Sequence, residues 1–424
     1  MLLLLSRHLI WSGSDGRGGT ITYYYYDAIT WIAAALLAGW IIWMIVRSVR
    51  RARAMRRPSR RIHQRPLKRV VRRKRQLTSI YLRPGFSGNI HAVGVGRLPG
   101  NGEYCIQVFV NNAGNELWAG AGAQGLPVSY RGVPLTLIEM PAAGFLSAPA
   151  PSTNNGRHQS KAIRDLQEVI VGGISGAHTN LSGQTGTIGY LCTRRSRLLR
   201  RKETYLLSNT HVFADLLKPA IDEHDLILQP SPGESGSNRP IASLVNFSPV
   251  KLGGDLKTAN RIDAAIAKLW GTQQHRSLIP MIGAVKGYAG SADVEIGEAA
   301  RKFGRTTGYT EGRVFSLYLD IWIRYDRTGQ SAFFKDQILI EPASPQFPKF
   351  VSKGDSGSLV VDAKQHAIGL ICAGMTGLPD ASATNPQSGG ELAALRIENY
   401  GVANPISDVL NGLKIDLVTE QGTS

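Results

Sequence analysis

Cysteine is scarce in this chain of 424 residues, which contains only Cys105, Cys192 and Cys372. Three cysteines can form at most one internal disulfide, which excludes a small secreted scaffold held together by disulfides. The scarcity also favours a reducing compartment. Cys372 lies in an apolar run, so a packed thiol is favoured there over a reactive one.

Motifs for metals and nucleotides are missing as well. No two cysteines have the spacing of a metal-binding pair, and no glycine-rich phosphate loop is present. We therefore expect neither a metal nor a cofactor.

Acidic residues are absent between Arg47 and Arg75, where fifteen residues are Lys or Arg. This stretch accounts for +15 of the net charge of +18, so the high pI is a local feature. Residues 47–79 are predicted to be a basic juxtamembrane linker, in which the segment 47–75 lies on anionic lipid. Nucleic-acid binding is the disfavoured alternative, because interleaved aromatic residues and a folded motif are missing.

A run without charges precedes the basic stretch. Residues 28–46 contain no charged residue, and about twenty apolar residues are needed for a helix to cross a bilayer. The basic residues follow this run, whereas a cleaved signal peptide carries them in front. We therefore predict one transmembrane helix within an N-terminal segment, 1–46. The positive-inside rule then places a single-pass protein in the cytoplasmic (inner) membrane, with the remaining chain on the cytoplasmic side.

The remaining chain is predicted to be mainly β and to divide at a linker, residues 146–168, rich in Pro, Ser and Asn. Before the linker, the strand patterns of residues 80–145 predict a small α+β domain. After it, residues 169–418 contain many short strand patterns, which are typical of a sandwich or barrel. Near the end, Asn404 and Pro405 predict a helix that begins with a side-chain cap.

A serine lies between glycines in Gly354-Asp355-Ser356-Gly357, directly before an apolar run. A serine hydroxyl becomes a useful nucleophile when a base takes its proton and backbone N–H groups face the developing oxyanion. Glycine allows the backbone around such a serine to turn without a Cβ in the way. Taken alone, the motif fits a turn before a strand equally well.

Two further motifs change that balance. His211 follows a strand pattern that ends in a polar turn, and Asp263 opens another apolar segment. Asp255 is the weaker candidate for the acid, because its glycine-rich surroundings are typical of a turn. The order His, Asp, Ser is that of chymotrypsin-like triads and differs from the orders in subtilisin and in the α/β-hydrolases.

These motifs, together with Gly304-Arg305-Thr306-Thr307-Gly308, resemble those of the chymotrypsin-like (trypsin-like) serine peptidase superfamily. They are most similar to bacterial trypsin-like peptidases related to the plant narrow-leaf protein, over about residues 170–415. The resemblance implies two six-stranded β-barrels with the triad in the cleft between them. The plant member of the family also suggests assembly into a homo-oligomer.

The resemblance implies a role for each motif residue. Ser356 is the nucleophile, His211 the general base, and Asp263 the group that orients the imidazole. The backbone N–H groups of Gly354 and Ser356 form the oxyanion hole.

The resemblance also places the substrate. It implies that the floor of the specificity pocket lies near Phe350 and that Ala373 and Gly374 lie beside the substrate backbone. No acidic residue is present near Phe350, so a preference for Lys or Arg is not expected.

The sequence thus predicts a membrane-tethered serine endopeptidase that cleaves protein or peptide substrates through an acyl-enzyme intermediate. The alternative is a scaffold or binding protein that uses a protease fold with a closed or inactive cleft.

Overall fold

The computed structural model describes residues 7–14, 20–26, 35–44, 46–47, 64–82, 90–110, 128–141, 143–145, 164–181, 184–195, 203–216, 218, 220–234, 236–254, 256–325, 328–375, 395–396 and 399–419. The chain separates into two compact units, residues 1–56 and residues 57–424.

The first unit contains a hairpin and a helical stretch. Strands β1 (Arg7–Ser14) and β2 (Thr20–Tyr26) pair antiparallel, and residues 35–44 and 46–47 are helical. The transmembrane helix was predicted over residues 28–46, of which 28–34 and 45 lie outside the described residues. In the part of the chain that the structure describes, no helix has both the length and the apolar character needed to span a bilayer.

The second unit is mainly β, as the sequence predicts. In chain order its elements are α1 (Gln64–Tyr81), β3 (Ile90–Arg97), β4 (Tyr104–Val110), β5 (Ser129–Tyr130), β6 (Val133–Glu139), β7 (Gly144–Phe145), β8 (Val169–Ile170), β9 (Ala177–His178), β10 (Tyr190–Arg194), β11 (Tyr205–Ser208), α2 (Thr210–Phe213), β12 (Leu226–Gln229), β13 (Arg239–Phe247), β14 (Ala265–Leu269), β15 (Gln274–His275), β16 (Gly287–Tyr288), β17 (Ala299–Gly304), β18 (Gly308–Arg324), β19 (Ser331–Pro342), β20 (Leu359–Val361), β21 (His366–Gly374), β22 (Leu395–Arg396), β23 (Gly401–Pro405), α3 (Ile406–Leu413) and β24 (Ile415–Leu417).

One sheet has the strand order β24-β10-β11-β14-β13-β12-β9. The segments that precede β9 and β10 are also joined: the N–H of Gly173 donates to Ile188 O at 2.7 Å, and that of Gly176 donates to Gly186 O at 3.1 Å. Apolar side chains such as Leu206, Ile227 and Ile266 have no exposed surface and fill this layer. Six strands, β9 to β14 without the helix, therefore wrap around one core.

A second ring of strands follows in the chain. Strands β17, β20, β21, β23, β19 and β18 pair in that order, and β18 pairs back onto β17. This circuit of pairings leaves no free edge among the six strands, which is how a barrel avoids edge-to-edge aggregation. Ile340, Phe350 and Ile371 are among the fully buried residues of its core.

The strands of the predicted small domain do not form a sheet of their own. β3, β4 and β6 are present, but β3 pairs antiparallel with β18 and so extends the sheet of the second ring. A separate α+β domain over residues 80–145 is therefore not confirmed. The sequence shows each strand pattern but not its partner, because strand pairing is made between distant residues.

Residues 64–79 of the predicted basic linker belong to helix α1, which extends to Tyr81. Val70 and Leu77 are buried on one face, while Lys74 and Thr78 on that face both bond to the Asp320 carboxylate, at 2.5 and 2.8 Å. This spacing of three to four residues is helical, although many basic residues lie between the apolar ones. The exposed face carries the remaining cations, including Lys68, Arg69, Arg72 and Arg75.

Candidate active site

The pairing of β11 with β14 brings two of the predicted residues together. Ser208 at the end of β11 is in register with Ala265 at the start of β14, so the residues just beyond both strands are neighbours. His211 lies in the short helix α2 that follows β11, and Asp263 lies two residues before β14. As a result, Nδ1 of His211 makes a short hydrogen bond to Oδ2 of Asp263, and both residues are fully buried.

The histidine–aspartate pair is oriented by its surroundings. Oδ1 of Asp263 accepts the backbone N–H of His211 at 3.2 Å. The backbone of Asp263 is held by two amides: its N–H donates to Oδ1 of Asn404 at 2.8 Å, and its carbonyl accepts Nδ2 of Asn209 at 2.7 Å. A carboxylate at Nδ1 favours the tautomer with the proton on Nδ1, so Nε2 is the ring nitrogen that can accept a proton.

Ser356 lies in the irregular segment 352–358 between β19 and β20. Gly354 and Gly357 flank it with φ values of +99° and +92°, in the left-handed region that favours glycine. A Cβ at Gly354 would collide with Thr306, and one at Gly357 would collide with Ser208. The two glycines thus permit both the conformation and the close approach of this segment to the strand that leads to His211.

The Asp355 side chain fixes the conformation of the serine segment. Its carboxylate accepts the N–H groups of Ser352, Thr306 and Thr307 at 2.9, 2.8 and 3.1 Å. It also forms an ion pair with Nζ of Lys302 at 3.3 Å, with both side chains fully buried. Burial lowers the pKa of Lys302, and the negative charge of Asp355 offsets part of that effect.

Two contacts tie the serine segment to the first sheet, and a third ties it to β21 of the second ring. The N–H of Thr187 donates to Ser356 O, and the hydroxyl of Thr187 donates to Gly354 O, each at 2.9 Å. The Ser356 hydroxyl donates to the carbonyl oxygen of Cys372 at 3.2 Å. Asn404, which binds Asp263, also lies 3.3 Å from the Cys372 sulfur. Ser356 and Asp263 are therefore connected through only two intervening residues.

The proposed oxyanion donors are arranged differently from their neighbours. The N–H groups of Asp355 and Gly357 donate to Ser352 O and Ile371 O, at 3.0 and 2.8 Å. Within the described ranges, the N–H groups of Gly354 and Ser356 donate to no backbone carbonyl. These two donors alternate with the occupied ones along the segment, so they are the ones that remain for an incoming oxyanion.

The predicted substrate-binding residues are less open than expected. Phe350 is fully buried in the core of the second ring, and Nζ of Lys302 lies 5.8 Å from its ring centroid. Ala373 has no exposed surface, and Ala373 and Gly374 pair with Phe145 and Gly144 of β7. Phe350 is thus a core residue, whereas Ala373 and Gly374 lie on a strand edge that another segment of the chain contacts.

A second buried histidine–aspartate pair lies away from the serine. Nε2 of His178 and Oδ1 of Asp225 are 2.9 Å apart, and Nδ1 of His178 accepts the N–H of Asn180. Lys218 also bonds to Asp225, at 2.8 Å. Burial lowers the pKa of His178. The hydrogen bonds of this pair link β9 to the turn before β12, which is a structural role.

Two residues of the site were not found by the sequence analysis. Lys302 and Ala300 are two positions apart in β17, and both side chains are buried. A lysine at a position that alternation places inward is a signal in the sequence, because a buried charge needs a partner. Asn404 was predicted to cap a helix, but this prediction is wrong: the N-cap of α3 is Pro405, without a side-chain cap. The Asn404 side chain instead binds Asp263 and Gln337. Asp255, the weaker candidate for the acid, lies outside the described residues.

Comparison with known proteins found similar solved structures. No protein-family model matches the sequence, and no curated protein does. A glutamic acid specific serine protease matches with a TM-score of 0.36 and 14% identity, over 59% of this chain and 100% of that chain. Protease A of Thermobifida fusca matches with 0.32 and 17%, over 59% and 99%, and the chymotrypsin of Cellulomonas bogoriensis with 0.32 and 15%, over 59% and 98%.

The neighbours are chymotrypsin-like serine proteases, as the sequence predicts. Because both the TM-scores and the identities are low, the similarity carries no argument about activity. The relation to the plant narrow-leaf protein stays a prediction.

Proposed function

We propose that this chain is a serine endopeptidase with Ser356 as nucleophile, His211 as general base and Asp263 as the residue that orients the base. The observation that carries the proposal is the buried hydrogen bond between His211 and Asp263. The serine segment adds two N–H groups, those of Gly354 and Ser356, that donate to no backbone carbonyl among the described residues. A buried imidazole paired with a carboxylate is the arrangement that stabilises a proton taken from a nearby hydroxyl.

The reaction follows from these roles. Ser356 Oγ attacks the carbonyl carbon of the substrate while its proton passes to Nε2 of His211. The N–H groups of Gly354 and Ser356 stabilise the resulting oxyanion, each donor being worth on the order of 3 kcal/mol. His211 then protonates the leaving amine and the C–N bond breaks. A water molecule gives a proton to His211 and attacks the ester carbonyl. His211 then returns this proton to Ser356 Oγ as the bond to the acyl group breaks, which releases the acid and restores Ser356.

A fluorophosphonate probe tests this proposal, because only an activated serine reacts with it at a useful rate. We expect labelling of the folded full-length chain and its loss in Ser356→Ala, together with loss of casein hydrolysis. Ser79→Ala, which removes an exposed hydroxyl on α1, is the matched control and should label normally. Absence of labelling in the wild type, or equal labelling in Ser356→Ala, would favour the scaffold alternative.

The peptidase is further proposed to be tethered to the cytoplasmic membrane through its N-terminal segment, with the catalytic unit on the cytoplasmic side. Support comes from the exposed apolar side chains of the helical residues 35–44 and 46–47, among them Leu36 at 69% exposure and Trp43 at 50%. Transfer of such side chains from water into an apolar phase lowers the free energy. The basic residues that follow fit an anionic lipid surface.

Fractionation tests the tether. The full chain should remain with the membrane at about 1 M salt, where exposed charges are screened beyond about 3 Å. Deletion of residues 1–46 should release it to the soluble fraction, and a reporter fused after Ser424 should respond as a cytoplasmic protein. Release of the full chain by salt alone would mean that the basic segment only adsorbs to lipid, and a periplasmic reporter signal would contradict the orientation.

A further inference from the structure

A two-residue strand of the chain lies along the edge beside the serine. β7 pairs antiparallel with the end of β21, with Phe145 opposite Ala373 and Gly144 opposite Gly374. On its other side β7 contacts the end of β18, where Gly144 is in register with Arg324 and the N–H of Arg324 donates to Ala143 O at 2.9 Å. β7 therefore fills the space between these two strand ends.

The end of β21 is the edge that a substrate would use. The carbonyl of Cys372 accepts the Ser356 hydroxyl, so residues 373 and 374 lead directly away from the nucleophile. The opposite edge of these residues is already paired with β23. An extended peptide that adds to a sheet beside a nucleophile needs a free edge of this kind. In this structure the required edge is occupied by Gly144 and Phe145.

The direction of β7 matches that of a substrate. In a peptide under attack, the residues that end in the scissile carbonyl run toward the nucleophile from N- to C-terminus. β7 runs in this sense, since Gly144 pairs with Gly374 and Phe145 pairs with Ala373, which is one residue closer to Cys372. A strand of the reverse direction would also have blocked the edge, but it would not have presented its carbonyls as an acyl group does.

Burial of the site is consistent with this occupation. His211 and Ser356 are both 0% exposed, although a peptidase must admit a chain to its nucleophile. Ala143, just before β7, is 2% exposed and packs in the same core cluster as Ala373 and Met375. The segment is therefore anchored by apolar burial before it reaches the cleft, while its pairing with β21 spans only two residues.

We propose that Gly144–Phe145 occupies the position of the acyl part of a peptide substrate, so that the peptidase is autoinhibited by its own chain until this strand is displaced. The inference rests on the proposed function. It differs from the scaffold alternative because the cleft is closed by a short, replaceable strand, and the catalytic residues behind it are intact.

Phe145→Pro is the first test, because proline has no N–H and is poorly tolerated within a paired strand. Two activities are compared: hydrolysis of a peptide with four residues before the scissile bond, and labelling by a small fluorophosphonate that needs no strand pairing. Peptide kcat/KM should rise about tenfold or more, because the substrate no longer has to displace a paired strand. A tenfold rise corresponds to about 1.4 kcal/mol in the free energy of that displacement. Labelling should change much less. Thr153→Pro, in the proline-rich linker, is the control and should change neither.

A disulfide provides an independent test that does not weaken the fold. Gly144→Cys combined with Arg324→Cys joins two residues in register on adjacent strands, and a Cβ at position 144 meets no atom closer than 3.8 Å. The oxidised variant should lose about tenfold or more in peptide hydrolysis relative to the same variant after reduction. The native cysteines are buried and should not interfere.

The outcomes separate the two proposals. A rise with Phe145→Pro and a reversible fall with the disulfide support the inference. Normal labelling of Ser356 with peptide hydrolysis unchanged in both variants overturns the inference and leaves the peptidase proposal standing. If neither the wild type nor Phe145→Pro labels or hydrolyses peptide, the proposed function fails, and the inference fails with it.

Discussion

The histidine side of the candidate site, His211 and Asp263, and the serine side, segment 352–358, are held in place by different forces. On the histidine side, the ends of two paired strands already bring the residues together, and the neutral amides of Asn209 and Asn404 fix the backbone. On the serine side no regular strand holds the nucleophile, and a buried charge pair, Lys302 with Asp355, lies beneath it.

Because of this contrast, substitutions on the two sides should affect activity and stability differently. A strand pair is maintained by many contacts that one side-chain change leaves intact. A buried ion pair is different, because removal of one partner leaves an uncompensated charge at a cost of about 3–5 kcal/mol. We therefore expect changes on the histidine side to reduce activity with little effect on folding, and changes under the serine to reduce both.

Asp263→Asn should give the largest loss of activity. The variant keeps the shape of the side chain but lacks the charge that stabilises the imidazolium and its tautomer, and the corresponding loss in triads of this kind is about 10⁴-fold in kcat. The loss should appear in kcat/KM for a peptide substrate at neutral pH. The free energy of unfolding should fall less than in a variant of the serine side.

Asp225→Asn is the matched control for this prediction. It alters the other buried histidine–aspartate pair. Asp225 bonds to His178 and Lys218 and, among the described residues, forms no side-chain hydrogen bond to a serine. We expect it to lower the free energy of unfolding and to keep kcat/KM near the wild-type value. A similar loss of activity in both variants would show that Asp263 acts only through the fold.

The sequence predicts the residues of this site better than their supports. His211, Asp263 and Ser356 each lie beside a strand pattern with typical turn residues, so local motifs and their order are sufficient to find them. Lys302 and Asp355 are 53 positions apart in the sequence, and the pairing of β17 with β20 brings them together. Asn404 was misread because an Asn before a Pro is typical of a helix start, whereas a buried partner, Asp263, binds its side chain here.

The same limit applies to the fold. The sequence shows the alternating pattern of single strands. The pairing of β3 with β18 and of β7 with β21, however, depends on the register between distant segments. In helix α1, Val70 and Leu77 mark the inward face at helical spacing, but Lys74 lies on the same face, paired with Asp320. Lysine is rarely buried without a partner, so the sequence gives no reason to place Lys74 inward.

Lys302→Met tests the serine side, with a smaller expected loss of activity and a larger loss of stability. Met removes the cation but keeps most of the buried length, so Asp355 is left with its neutral donors alone. The free energy of unfolding should fall by about 3–5 kcal/mol. Displacement of the N–H groups of Gly354 and Ser356 should lower kcat by about 10²-fold, as for loss of one oxyanion donor.

Denaturant unfolding and peptide kinetics measure the two effects of Lys302→Met. The double variant Lys302→Met with Asp355→Asn should regain part of the stability, because no buried charge remains unpaired. If Lys302→Met is as stable as the wild type, the charge pair does not hold the serine segment, and the contrast between the two sides is wrong.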